Sequence, residues 1–313
     1  MKRLAVVGVL GALAAAGSGV GLSSAAFTAH EEFTGSITTA SDWVAPSLTL
    51  TAPADDSSLK SANVTLSGAA GDASGDDTTV TVSIWSGTSV TGTPVTTRTV
   101  TRSGAAWSTS VTGLAPGTYT ARATQSDSSD NTATSAANTF TIDTTAPTRV
   151  SMSAANGSGT AGHLDAGDTI TFAYSERMLP SSILSGWGGS AASVKVRFFS
   201  SSGGDSFTVL DSSSAANVKL DNGTTSSGGV SLGSSANYVT GTATFSANLT
   251  QSADGTSFVV TLAGSPDTPS RIVSTQVTAK NMTWTPKTGP TDMAGNALAS
   301  TASWTETDND RDF

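Results

Sequence analysis

The amino-acid sequence predicts an all-β protein, and three features of its composition support this prediction. Ser and Thr together account for about a third of the 313 residues, with 50 Ser and 51 Thr, and the chain adds 32 Gly. Only 12% of the residues are charged, against about 25% in an average soluble protein. Thr and Val favour strands, whereas Leu, Lys and Glu, which favour helices, are few.

The same composition argues against several classes of function. The chain has no Cys and only two His, so disulfides, thiolate catalysis and Cys-ligated zinc are excluded. A net charge of -9 argues against nucleic acid as a partner. Neither His30 nor His163 lies beside a recognisable nucleophile motif. We therefore predict that the protein is not an enzyme.

Residues 1–25 have the pattern of a secretory signal peptide. Lys2 and Arg3 precede an apolar run from Leu4 to about Val20, and small residues follow at 23–26. The run is short and rich in Ala and Gly for a membrane span. We therefore predict a secreted protein, extracellular or associated with the cell surface, with no membrane span in the mature chain.

The region after the apolar run carries a more specific resemblance. The run Ala25-Ala26-Phe27-Thr28 and the later segment FTGSITTASDW resemble proteins exported through a SipW-type signal peptidase. That group includes camelysin-like proteins and fibre proteins of biofilm matrices. The resemblance implies cleavage between Ala25 and Ala26, although a cut after Ala16 or Ala26 is also chemically allowed. It does not imply peptidase activity here, because the chain has no H-E-x-x-H motif.

Residues 26–45 are predicted to form an extended N-terminal arm. Two interpretations of this arm stay open: a leader or strand that folds onto its own domain, and a donor strand that completes the sheet of a neighbouring copy. In the second interpretation, the large apolar side chains are the assembly residues. These are Phe27, Phe33, Ile37 and Trp43.

Residues 46–146 are predicted to form an immunoglobulin-like β-sandwich, because seven short alternating segments occur at about ten-residue spacing. The segment Leu114–Thr120 resembles a tyrosine corner, which gives Tyr119 a structural role. The segment FTIDTTAP at Phe140–Pro147 resembles the linkers of bacterial Ig-like domains. The predicted strands are Ser47–Thr51, Asn63–Gly68, Thr78–Trp85, Pro94–Arg102, Trp107–Thr112, Gly117–Thr124 and Asn138–Asp143.

Residues 147–313 are predicted to form a larger Ig-like sandwich with Ser/Gly-rich insertions. Ser175–Met178 resembles the FSEPM segment of S-layer-type bacterial Ig-like domains, with Arg177 in place of Pro, and Thr291–Leu298 resembles the D-x-A-G-N-x-L turn of the same family. About 113 residues separate Met178 from Asp292, more than a whole domain of about 100 residues. A short helix is expected at Leu179–Leu184. The added strands are expected near Val194–Phe199, Ser206–Leu210, Asn237–Asn248, Ser257–Leu262 and Gln276–Trp284.

Acidic residues in loops are the candidate metal ligands. Asp alternating with Asn or Ser can present oxygen ligands to calcium, but the same residues commonly cap turns by bonding local backbone. Calcium is thus the one cofactor that the sequence leaves open. The candidates are Asp72, Asp76, Asp77, Asp127, Asp130, Asp308 and Asp310.

The six Trp residues are candidate contacts for sugar rings, although Trp in a sandwich is usually at least partly buried. Trp107 precedes an alternating run and is assigned to the core. Trp187 lies in the polar segment SGWGG, so we predict that Trp187 is a surface contact.

Together these features predict a secreted, non-catalytic structural or adhesive protein of the bacterial cell surface or extracellular matrix. The expected partners are other copies of the chain or surface and matrix proteins, with polysaccharide as a further candidate. The alternative function is a carbohydrate-binding or accessory module of a secreted system, and a secreted hydrolase is a weaker third interpretation.

Overall fold

A computed structural model describes residues 43–157, 159–274, 277–307 and 313. The predicted signal peptide lies outside the described residues, as do Asp308, Asp310 and all of the predicted arm except its last three residues. Trp43 is the first described residue and is 81% exposed. No helix in these ranges has the length and apolar character needed to cross a membrane.

The described residues confirm an all-β fold built from 17 strands. Helix is confined, within these ranges, to one short α-helix, α1, at Pro180–Ile183 and to a single 3-10 turn at Pro269–Arg271. Helix α1 falls inside the predicted helix at Leu179–Leu184. Pro180 lies in its first turn, where a backbone N–H has no partner within the helix, so the missing N–H of Pro costs no helical hydrogen bond.

The first half contains strands β1–β8 in two layers. Six strands form one sheet in the order β1-β8-β6-β3-β4, with β7 beside β6, and β2 pairs with β5 in the other. Thr49 and Thr51 donate their backbone N–H groups to β2, at 2.9 Å and 2.8 Å, and so extend the smaller sheet. The strands are β1 Ser57–Leu59, β2 Val64–Ala69, β3 Thr79–Ser86, β4 Thr96–Thr101, β5 Ala106–Val111, β6 Gly117–Ser126, β7 Thr132–Thr134 and β8 Asn138–Ile142.

The core of the first half follows the alternation of its strands. Val80, Val82 and Ile84 of β3 are buried, and the residues between them are partly exposed. The buried indole of Trp107 donates from Nε1 to the carbonyls of Thr49 and Ala69, which pair with each other, and its burial confirms its assignment to the core. Tyr119 Oη donates to the Ala115 carbonyl at 2.9 Å, so the tyrosine corner is confirmed.

The second half contains strands β9–β17 in a single sheet, in the order β17-β16-β13-β12-β11-β14-β15-β10-β9. Within the described part of the segment predicted as a strand at Gln276–Trp284, only Thr283–Trp284 form a strand. This strand, β16, pairs with the equally short strands β13 and β17. The strands are β9 Arg149–Ala155, β10 Thr169–Tyr174, β11 Ala192–Phe199, β12 Ser206–Asp211, β13 Val230–Ser231, β14 Thr242–Gln251, β15 Ser257–Ala263, β16 Thr283–Trp284 and β17 Trp304–Thr305.

This nine-stranded sheet curls around its own core. Strands β10 and β16 are six positions apart in the sheet, yet the ring of Trp284 on β16 lies 5.3 Å from Phe172 and 5.6 Å from Tyr174 on β10. The two edge strands also approach each other, since Arg149 Nη2 at the start of β9 donates to the Ser303 carbonyl beside β17 at 3.1 Å. The sheet therefore encloses a core between two facing layers, close to a barrel.

Each half has its own cluster of buried apolar residues. One cluster draws its members from Leu50 to Ile142, and the other from Met152 to Phe313. The chain between the two clusters contains the segment that resembles an Ig-domain linker.

Candidate functional site at the junction of the two halves

The segment between β8 and β9, residues 143–148, is hydrogen-bonded to both halves of the protein. Asp143 donates its backbone N–H to Leu59 of the first half at 2.9 Å. On the other side, Ala299 donates to the Pro147 carbonyl at 2.8 Å, and Ser175 donates to the Thr148 carbonyl at 2.9 Å. We call this segment and the residues bonded to it the junction.

The two motifs that resemble S-layer-type domains meet at the junction. Met178 and Asp292 form an isolated antiparallel bridge, and Leu179 donates its N–H to the Thr291 carbonyl at 2.9 Å. Asn296 then reaches the linker, since its Nδ2 donates to the Asp143 carbonyl at 2.8 Å. The turn at Thr291–Leu298, near the end of the second half, is therefore hydrogen-bonded to the linker that precedes the second half.

The conformation of this turn depends on a clamp between Asp292 and Asn296. The Asp292 Oδ1 atom accepts the Asn296 backbone N–H at 2.8 Å, and Oδ2 accepts Asn296 Nδ2 at 2.8 Å. Asp292 is only 1% exposed. The clamp fixes the Asn296 amide in the position from which it bonds the linker.

Three carboxylates converge at the junction. One carboxylate oxygen from each of Asp143, Glu176 and Asp292 lies within 4.8 Å of the other two. The pKa of Glu176 is raised to about 7, first by burial and then by the neighbouring charges of Asp143 and Asp292. A group of three carboxylates can supply the oxygen ligands that calcium prefers, so these residues could hold a divalent cation.

The sequence did not identify this group as ligands, although it pointed to all three segments by resemblance. Asp143 lies in the linker, Glu176 in the SERM segment and Asp292 in the D-x-A-G-N turn. These three residues are far apart in the chain and meet only through the fold.

The predicted calcium ligands have a different arrangement in the structure. Within the described residues, they do not form a group of three carboxylates like that at the junction. Asp76 caps a turn by accepting the Ala73 N–H at 3.0 Å. Asp127 accepts the backbone N–H groups of Ser129 at 2.8 Å and Asn131 at 2.9 Å. These two residues therefore have the turn-capping role, and calcium binding by any of the candidates stays a prediction.

Trp187 is a correction to the sequence analysis. Its side chain is 7% exposed, and its ring lies 5.7 Å from Phe258 in the core of the second half. The indole Nε1 atom donates to the Ser190 carbonyl. The Gly and Ser neighbours that suggested exposure instead form a tight turn that folds the ring inward, so Trp187 is not a surface contact.

Buried carboxylates anchor the long loops of the second half, and the sequence analysis did not find them. Asp221 accepts Thr208 Oγ1 at 2.6 Å and the backbone N–H groups of Val209 and Gly223 at 2.9 Å and 2.8 Å. Asp205 accepts the N–H groups of two successive residues, Tyr238 and Val239, both at 2.7 Å. Burial raises the pKa of both carboxyls, that of Asp221 to about 6.

Comparison with known proteins assigns no family to the chain. No protein-family profile matches the sequence, and no curated protein matches it. Among solved structures, the chain is similar to the fibronectin(III)-like modules of Clostridium thermocellum CbhA, with 10% sequence identity and a TM-score of 0.28. That match covers 70% of this chain and 90% of the other. The described residues define an all-β protein with a two-layer first half and a second half built on one curled sheet, joined by a short, hydrogen-bonded linker.

Proposed function

We propose that this chain is a secreted, non-catalytic structural or adhesive protein of the bacterial cell surface or extracellular matrix. The observation that carries the proposal is the junction, where the Asn296 side chain bonds the linker carbonyl of Asp143 at 2.8 Å. Domains joined by a linker with few contacts usually move relative to each other. A linker bonded from both sides restricts that motion, which suits a protein that transmits force or presents a surface.

The junction can be tested by removing the Asn296 amide. We expect Asn296→Ala to loosen the linker, because the Asp143 carbonyl and the Asp292 carboxylate both lose a donor. Small-angle X-ray scattering of residues 26–313 should then show a broader distribution of interatomic distances. A distribution identical to that of the unsubstituted chain would contradict a stiffening role.

The first half supplies a matched control for this substitution. Asn131 bonds Asp127 in the same spacing, with its backbone N–H at 2.9 Å and its Nδ2 at 2.8 Å from the carboxylate oxygens. This clamp lies away from the linker, in the turn between β6 and β7. Asn131→Ala should therefore weaken a turn without changing the scattering distribution.

We further propose that the N-terminal arm joins copies by donating a strand. Two features of the first half support this idea. Trp43, the last assembly residue of the arm, is 81% exposed, and β4 is an edge strand of the six-stranded sheet. An edge strand offers backbone groups for a further strand, and apolar side chains would set the register.

Light scattering at increasing concentration tests the donor strand. Residues 26–313 should form oligomers that are lost when the chain starts at residue 43. The double substitution Phe33→Ser with Ile37→Ser should weaken assembly, and Thr38→Ser with Thr39→Ser should not. A chain that stays monomeric at high concentration, with or without the arm, would disprove strand donation and leave the junction proposal intact.

A further inference from the structure

The outer face of the six-stranded sheet is a regular array of hydroxyl groups. At most positions that point away from the core, β3, β4, β6, β7 and β8 carry Thr or Ser. Neighbouring strands match these residues in register, so their hydroxyls bond across the sheet, as Ser83 does with Thr97 at 2.9 Å and Thr118 with Thr141 at 3.3 Å. We call this surface the Thr face.

Two larger side chains, Trp85 and Arg122, interrupt the Thr face next to each other. Ser83 lies opposite Arg122, and Trp85 lies opposite Thr120, so Trp85 and Arg122 occupy the same face as diagonal neighbours. Such residues have Cα atoms about 7–8 Å apart, within reach of a shared ligand. The Trp85 indole is partly exposed and is held in place by donation from Nε1 to the Gly92 carbonyl at 3.2 Å.

The guanidinium of Arg122 contains an N–H donor that lacks an acceptor in the described part of the chain. Its Nε atom is buried and has no hydrogen-bond partner among the described residues. A guanidinium has five N–H donors and no acceptor, and a buried donor without a partner is unfavourable. Arg122 is also the only charged residue at the outward positions of the strands in this sheet, so no acidic neighbour on these strands neutralises it.

Arg122 as a whole is only partly buried, and a carboxylate is the ligand group that pairs best with the accessible part of a guanidinium, through two parallel hydrogen bonds. The surroundings define the rest of the ligand. Hydroxyl groups both donate and accept, as sugar hydroxyls require, and a partly exposed indole offers an apolar surface for the flat side of a sugar ring. An acidic peptide would match Arg122 but would leave the hydroxyl array and the indole without a corresponding role.

We propose that the Thr face binds an acidic polysaccharide, with Arg122 pairing a uronate carboxylate and Trp85 stacking on an adjacent sugar ring. This ligand rests on the extracellular role proposed above, because it gives the adhesive function a substrate. The Thr face lies on the first half and does not include the junction residues. The proposal about polysaccharide binding and the proposal about linker stiffness can therefore be disproved separately.

Binding to polygalacturonate, measured by calorimetry on residues 26–313, tests the proposal. We expect Arg122→Gln to weaken binding at least tenfold and Arg122→Lys to weaken it less, because Lys keeps the charge but not the paired geometry. Arg98→Gln is the matched control. Arg98 lies on β4 opposite inward-facing Val82, so it does not belong to the Thr face, and its substitution should change affinity less than twofold.

Trp85→Ala should weaken binding several-fold, while Val150→Ala, at an exposed apolar position of the second half, should leave it unchanged. Dextran, which is neutral, and poly-glutamate, which has carboxylates but no sugars, should both bind much more weakly than polygalacturonate. The proposal is overturned if polygalacturonate does not bind, if Arg98→Gln and Arg122→Gln lose equal affinity, or if poly-glutamate binds as tightly. Thermal unfolding of each variant separates loss of the ligand from loss of the fold.

Discussion

The two halves of the molecule fix their loops with different chemistry. In the first half, the buried side-chain amide of Gln125 exchanges hydrogen bonds with both backbone groups of Gly71 and donates to the Asp77 carbonyl, at 2.8–2.9 Å. In the second half, buried carboxylates such as Asp221 and Asp205 take this role. The side-chain amide does not titrate. A carboxylate binds donors more strongly, but burial raises its pKa, so its contribution to stability depends on pH.

This contrast teaches that the long Ser/Gly-rich loops of the second half depend on a few charged anchors. The second half carries long insertions between its strands, and short polar side chains there cannot bury much apolar surface. A carboxylate that accepts three donors at once can order such a loop, as Asp221 does. The first half has shorter loops, and its buried carboxylate Asp127 bonds only residues of its own turn, whereas the neutral amide of Gln125 joins distant segments.

Removing an anchor should produce the largest effect on stability. Asp221→Ala leaves three buried donors without an acceptor, which should lower the free energy of unfolding by about 4 kcal/mol. Gln125→Ala should lower it by about 2 kcal/mol, because the bonds it removes are between neutral groups. Urea denaturation, followed by hydrogen exchange resolved to peptides of each half, measures both values.

A control substitution at the surface sharpens this comparison. Asp254 caps a turn in the second half by accepting the Thr256 N–H at 3.1 Å in an exposed position. Asp254→Ala should change the free energy of unfolding by no more than about 1 kcal/mol. Equal losses for Asp221→Ala and Gln125→Ala would show that the charge of the anchor is unimportant.

The free energy of unfolding should also depend on pH through Asp221. The folded-state pKa of Asp221, about 6, lies above its ordinary value of 3.8, so the folded state binds the proton more tightly than the unfolded state. Its contribution to stability is fully present below pH 3.8 and is lost as the pH rises through about 6. The loss should amount to about 2 kcal/mol between pH 4 and pH 7.

Asp221→Asn should reduce this slope, because the amide does not titrate, while Glu176 and Asp205, whose pKa values are also raised, keep their own contributions. Asp254→Asn is informative as a control of opposite sign, since hydrogen bonds from Ser252 and Thr256 lower the pKa of Asp254. Its contribution is present above the unfolded value and lost as the pH falls. A pH profile of Asp221→Asn that matches the unsubstituted chain would refute the assignment.

The smallest expected change in the free energy of unfolding comes from removing a tyrosine hydroxyl, and the two halves should differ in it. Tyr119 Oη bonds the Ala115 carbonyl, and Tyr119→Phe should lower the free energy of unfolding by about 1 kcal/mol. The buried Tyr174 Oη has no hydrogen-bond partner among the described residues, so Tyr174→Phe should be neutral or slightly stabilising. A loss of more than about 1 kcal/mol for Tyr174→Phe would indicate that its hydroxyl is bonded after all, for instance to an internal water.

Local sequence patterns were sufficient for most of the first half. Alternation at Val80, Val82 and Ile84 predicted β3, and the segment around Tyr119 predicted the corner that the structure confirms. The three-residue strands β1 and β7 were not predicted, because their sequences are polar and too short to show a period. Their pairing depends on neighbouring strands and not on their own side chains.

The junction and the anchors could not be derived in this way, because they depend on distance in space. Glu176 and Asp292 lie on either side of more than a hundred residues, and no local pattern relates them. Asp221 sits in a loop whose composition predicts exposure, and only the fold shows that the loop turns inward. Trp187 was misassigned for the same reason, since its contact with Phe258 crosses between distant segments.

The bond from Asn296 to the Asp143 carbonyl spans 153 residues, and this span sets an order of events during synthesis. The first half can fold as soon as β8 has emerged, because its core draws only on residues up to Ile142. The linker stays loose until nearly the whole chain has followed. A nascent chain can therefore carry a folded first half on a loose linker, and the linker becomes fixed only after the turn at Asp292–Asn296 has been synthesised.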